Sequence, residues 1–150
     1  MQKKALKIPF ALWRRLYSEL RRRSKGRRES GAFLLGQSSK VSAFICYDDL
    51  DPSALDTGVV IIKGEAFVLL WDYCARHKLK VIGDIHTHPT NSTAQSCSDR
   101  SNPAVAQPGH VAVILPNFAS RKWPSLRGAG IYEYLGQHEW RDGVVKITIL

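Results

Sequence analysis

The chain has no apolar run long enough to cross a bilayer. Its longest, Ala66–Trp71, is six residues, against the ~20 a spanning helix needs. Cysteine is scarce. Cys46, Cys74 and Cys97 are odd in number and show no Cys-x-x-Cys pairing, which argues against a disulfide framework. The opening Met1-Gln2-Lys3-Lys4 has no apolar core of the kind a secretory signal carries. There is no internal repeat and no Gly/Pro-rich linker. The expectation is a reducing, cytoplasmic protein that uses no membrane. Residues 1–150 are read as a single domain, large enough to bury a core.

Acid is also in short supply, with 13 Asp and Glu against 22 Lys and Arg, for a net charge of +9. The excess is concentrated. Arg14–Arg28 holds eight basic residues against one acid, Glu19. Such a patch can meet nucleic acid or an acidic protein surface. No aromatic-interleaved binding motif accompanies it, so the expectation is a solvated helix face with a basic loop, and no nucleic acid.

What is present is a globular pattern, 44% hydrophobic. Phe10, Trp13, Leu16, Tyr17 and Leu20 recur at helical spacing and predict a helix from Pro9 to Arg23, broken by Gly26. Ala32–Gly36 and Val41–Tyr47, separated by Gln37-Ser38-Ser39, predict a hairpin. Asp48–Thr57 reads as an acidic loop and Val59–Ile62 as a third strand. Glu65–His77 has helical periodicity, and Lys80–His88 returns as a strand. Pro89–Gly109 is polar, irregular and long, the mark of a functional loop. A short helix near Asp99 is limited by Pro103. Strands follow at His110–Leu115, Gly130–Leu135 and Val144–Leu150. The fold class is α/β, a mixed sheet flanked by two helices.

One stretch stands apart: Gly83-Asp84-Ile85-His86-Thr87-His88-Pro89. Side chains alternate along a strand, so His86 and His88 share a face, and two imidazoles on one face can hold a metal ion. Asp99 adds an oxygen ligand. Two His and one carboxylate leave a fourth tetrahedral position open, as in a catalytic zinc site. Taken singly these signals are weak. His-x-His is common on strand edges, and Ser96-x-x-Asp99 is also the pattern of a helix capping box.

Jointly they say more. Seven residues separate His88 from Ser96, Asp99 follows at Ser-x-x-Asp spacing, and Glu29 stands upstream, before the apolar run Ala32–Leu35. This pattern resembles the JAMM, or MPN-plus, zinc metalloproteases of the JAB domain family. The resemblance implies a fold similar to cytidine deaminase and one Zn²⁺ per chain, held by His86, His88 and Asp99. It implies Glu29 as general base and then acid, and Ser96 as hydrogen-bond donor to the developing oxyanion. It implies cleavage after the C-terminal glycine of a ubiquitin-like protein, for deconjugation or precursor maturation. GDIHTHP, SDRSNP and Gly130–Tyr134 resemble stand-alone prokaryotic members encoded beside E1-like, E2-like and ubiquitin-like proteins in antiphage operons.

Other readings stay open. One is a processing peptidase for sulfur carriers of the ubiquitin fold. Another is a non-catalytic MPN scaffold, although scaffolds typically lack the full residue set. A third is a thiol hydrolase using Cys97 with His86 or His88. Asp84, on the face of His86, either orients a ligand or touches substrate, or is a surface acid at a strand end. Tyr47, Trp140, His77, His110 and His138 carry no assignable role.

Overall fold

The computed structural model describes residues 5–149; the expectations for Met1–Lys4 and for Leu150 lie outside the described residues. The elements run β1 (Ala5–Pro9), α1 (Phe10–Ser24), β2 (Gly31–Gln37), β3 (Lys40–Cys46), α2 (Tyr47–Leu50), α3 (Gly64–His77), β4 (Lys80–Thr87), α4 (Cys97–Ser101), β5 (Val111–Leu115), β6 (Gly130–Gly136), β7 (Glu139–Asp142) and β8 (Val144–Thr148). The strands form one mixed sheet in the order β7-β6-β5-β4-β2-β3-β1-β8. β7 and β8 occupy opposite edges of that order, yet only Gly143 separates them in sequence. The sheet therefore curls until its edges approach each other.

β2 explains the layering. Its residues are buried from Gly31 to Gly36, the continuous apolar pattern of a strand covered on both faces. Leu34 points to α1, joining Leu16, Leu20, Ile85 and Val113. Its neighbours Phe33 and Leu35 point the other way, to Leu55, Leu70 and Cys74 beneath α3. The two long helices thus cover opposite faces. β4 lies beside β2, antiparallel, and beside β5, parallel, with His86 paired across to Gly31 and to Ile114. The site strand is central, where its register is most tightly held.

Three expectations are corrected. Val59–Ile62 is not a strand: the Ile61 N–H donates to the Ala54 carbonyl and the Val60 N–H to the Glu29 side chain, so other partners take groups that a ladder would need. Pro9 is not helical but closes β1 and caps α1. That strand was missed, although Leu6 and Ile8 alternate about Lys7 as one half-buried strand should. β7 was missed because Glu-Trp-Arg-Asp is short and polar. Asp48–Leu50, read as loop, continues a single helical turn from Tyr47.

Candidate metal centre

β4 delivers His86 and His88 to one face, and α4 brings Asp99 to meet them. Among the described residues these three are the one group whose donor atoms cluster as metal ligands do, all within 4.8 Å of one another. His86 Nε2 lies 3.5 Å from Asp99 Oδ1, and His88 Nε2 lies 3.3 Å from Asp99 Oδ2. A tetrahedral zinc with ligands at about 2.0–2.1 Å separates its donors by about 3.3–3.4 Å. The spacing therefore suits zinc. The His88 ring is oriented by its other nitrogen, 3.1 Å from the Ser92 carbonyl. A carbonyl only accepts, so Nδ1 carries a proton, which leaves Nε2 as the nitrogen that the neutral ring offers to a metal and that the charged ring donates to Asp99. Without metal, Asp99 serves as counter-ion. Its hydrogen bond raises the His88 pKa. Burial opposes ionisation of Asp99 itself, but hydrogen bonds from His86 and His88 hold it below the carboxylate range.

Glu29 stands at the same end of the cleft, half-buried ahead of β2. Burial raises its pKa. The two imidazoles act the other way, Asp99 adds to the rise, and a hydrogen bond from the Val60 N–H lowers it. Its position depends on buried hydroxyls beneath. Ser30 Oγ donates to the Leu20 carbonyl at 2.8 Å and meets Ser24 Oγ at 2.7 Å. Ser24 Oγ reaches Thr87 Oγ1 at 3.1 Å, and that atom accepts the Ser30 N–H at 3.0 Å. Thr87 lies between the two histidines and points to the opposite face, so this network ties the end of α1, the Glu29-Ser30 entry and β4 together. Thr87→Val leaves the buried Ser30 N–H unpartnered and should cost about 1–3 kcal/mol, read as a lower urea midpoint of the metal-free protein. An unchanged midpoint would show the network to be idle.

The loop carrying Asp99 is fastened along its length. Asn117 donates to the Thr90 carbonyl at 2.9 Å and Tyr132 Oη to the Thr93 carbonyl at 2.7 Å. Trp140 Nε1 donates to the Arg100 carbonyl at 3.0 Å. Ser96 caps α4 in a full capping box: Ser96 Oγ accepts the Asp99 N–H and Asp99 Oδ2 accepts the Ser96 N–H. The capping pattern and the ligand pattern are thus one device, since the box aims the carboxylate whose two oxygens face the imidazoles. The Ser96 hydroxyl keeps its own proton for donation. Ser96 is exposed, outside the cleft lining, where Gln95 and Ser98 appear instead.

The cleft holds about 300 Å³. Val60, Ile62 and Phe67 line one side, Asn102–Ala104 and Trp140 the other. Asp84 does share the face of His86, but its partners are neither ligand nor solvent. Its carboxylate accepts Tyr47 Oη at 3.1 Å and meets His110 Nε2 at 2.6 Å, and it is buried, so it is not a surface acid. Tyr47 and His110 had no role in the sequence because they stand far from Asp84 along the chain. One signal was available. A Cβ on Gly31 would meet the Tyr47 ring at 2.3 Å and the Ile85 carbonyl at 2.7 Å, so glycine beside His86 marks a close approach. Cys97 is exposed and Cys46 and Cys74 are buried, all three free thiols.

The basic stretch is split by the fold. Arg23 pairs with Asp48 at 2.9 Å and Asp49 at 2.8 Å, and Arg22 with Glu19 at 2.6 Å. None of the stretch's basic side chains lines the cleft.

No family model matches the sequence. Solved structures do. A protein from Desulfitobacterium hafniense is similar at TM-score 0.66 and 13% identity, over 95% of this chain and 92% of that one. A protein from Salinibacter ruber is similar at TM-score 0.58 and 16% identity, over 95% and 91%. A third structure, of JAMM, a metalloprotease-like zinc site in the proteasome and signalosome, matches at TM-score 0.51 and 17% identity, over 95% and 99%. At these identities the likeness concerns the fold, an α/β domain with a mixed sheet shared with the JAMM zinc-site structure.

Proposed function

We propose that this protein is a zinc-dependent peptidase or isopeptidase that cleaves after the C-terminal glycine of a ubiquitin-like protein, freeing the modifier from a conjugate or maturing its precursor. The observation that carries this reading is the convergence of His86, His88 and Asp99, at zinc-ligand spacing, with the half-buried carboxylate of Glu29 at one end of a cleft. A zinc ion held there supplies Lewis acidity toward water and a carbonyl oxygen.

The chain's own groups do the rest. Glu29 takes the proton of the attacking water on a carboxylate oxygen and passes it to the leaving amine nitrogen. Burial raises its pKa, which makes the carboxylate a stronger base. Ser96 donates a hydrogen bond from its hydroxyl to the developing oxyanion from the rim. The segment from Val59 to Ile62, free of the sheet, and the facing Asn102–Ala104 bound a channel for an extended tail. Glycine is the residue that passes such a constriction without a clash. Val59 and Ile61 on this segment, and Val68, Leu69 and Trp71 on α3, are exposed apolar side chains that a folded modifier could cover. The pathway is read as a bacterial antiphage system with E1-like and E2-like partners; its support is the resemblance of GDIHTHP and SDRSNP.

The test uses zinc-loaded protein with ubiquitin-like domains ending in Gly-Gly, joined to a reporter by a peptide or a lysine isopeptide bond. Intact mass should place the cut after the terminal glycine. A leucine at the penultimate position should block it. Cutting elsewhere, or equal cutting of the leucine form, would contradict the reading.

A further inference from the structure

α1 and the loop after β5 frame a groove of about 670 Å³. It lies on the sheet face that α1 covers, while the metal cleft opens on the face of Phe67 and Tyr47, and the two share no lining residue. Arg14, Arg15 and Arg22 form its helical wall, with Lys122 and Trp123 from the loop and Phe44 from β3. Arg14, Ser18 and Arg22 fall at successive i+4 positions, a line about 12 Å long at 1.5 Å per residue.

The charge in this groove is available. Its single acid, Glu19, is taken by Arg22 at 2.6 Å and Arg23 at 3.5 Å. Among the described residues no carboxylate pairs with Arg14, Arg15 or Lys122. The Arg15 guanidinium covers the Phe44 ring at 5.7 Å. The Trp123 ring is open, 77% exposed. An acidic peptide needs cations alone. Unpaired cations beside an open aromatic face suit a chain that alternates phosphates with flat rings. The three cations without a carboxylate, Arg14, Arg15 and Lys122, can meet about three phosphates, and the sequence pI of about 9.7 fits the electrostatic footprint.

We infer that this groove binds single-stranded nucleic acid, its phosphates on Arg14, Arg15 and Lys122 and one base stacked on Trp123, without sequence preference. Sequence reading disfavoured nucleic acid because no aromatic is interleaved with the basic run; the fold brings Trp123 and Phe44 to it from distant segments. The inference is independent of the activity proposed for the cleft.

The test is fluorescence anisotropy of a labelled oligothymidylate and oligouridylate, ~10 nucleotides long, with the zinc-loaded full chain over a salt series. Binding should weaken with salt at a logarithmic slope of about −2, for three phosphates at about −0.7 each. Trp123→Ala should weaken it about tenfold at fixed salt, and Trp123→Phe should recover most of the loss. Arg14→Glu with Lys122→Glu should flatten the slope. Melting temperature and zinc content should stay unchanged in all three. Absence of salt-dependent binding, or wild-type affinity in Trp123→Ala, would overturn the inference. So would a polyglutamate peptide that binds equally well with the same dependence on Trp123, a result that assigns the groove to an acidic protein.

Discussion

Replacing Glu29 with glutamine should lower turnover of a ubiquitin-like fusion by roughly 10²–10⁴ and leave the zinc content as it was. The amide keeps the shape of the side chain, its carbonyl oxygen can still accept the Val60 N–H, and the Glu29 N–H donates to the Gly58 carbonyl at 2.8 Å in either form. What is lost is the ability to accept and return a proton. Glu29 lies outside the ligand cluster of His86, His88 and Asp99, so metal binding has no reason to change. The check is single-turnover kinetics beside metal analysis of the same sample. A wild-type rate would remove Glu29 from the chemistry. Asp84 would be a poor substitute, since Tyr47 and His110 already occupy both its oxygens.

The second large effect is on the metal. His88→Ala or Asp99→Ala should reduce bound zinc from about one per chain to a trace, with an affinity loss beyond the 10–100-fold typical of partners that merely orient a ligand. Wild-type affinity should itself depend on pH. Asp99 raises the His88 pKa in the metal-free protein. Zinc needs the neutral ring, so protons compete. Apparent affinity should be full above that raised pKa and fall as pH drops through it. Isothermal titration at several pH values measures this. Retention of one tight zinc in both variants would place the metal elsewhere.

Much of the site was legible because it sits on a central strand. The two-residue period put His86 and His88 together with Asp84, and put Thr87 opposite, without further information. Ser96 and Asp99 were legible twice over, as capping box and as ligand pattern; the structure holds the box, and its Asp99 carboxylate faces both imidazoles. What could not be read were partnerships across long stretches of chain. Tyr47 and His110 reach Asp84, Ser24 reaches Thr87, and Arg23 spends its charge on Asp48 and Asp49. The same limit governs the fold. β2 announced itself as a continuous apolar run, whereas Val59–Ile62, β-branched and strand-like, gives its Ile61 N–H to the Ala54 carbonyl and its Val60 N–H to Glu29. Local composition decides an element only where no tertiary partner outbids it.

The central claim is that His86, His88 and Asp99 together hold one zinc ion. X-ray absorption at the zinc edge, on protein loaded with one equivalent, tests it most directly. The account predicts a shell of nitrogen and oxygen at about 2.0–2.1 Å with the outer scattering of two imidazoles. A sulfur shell at about 2.3 Å, pointing to a cysteine such as the exposed Cys97, would contradict it.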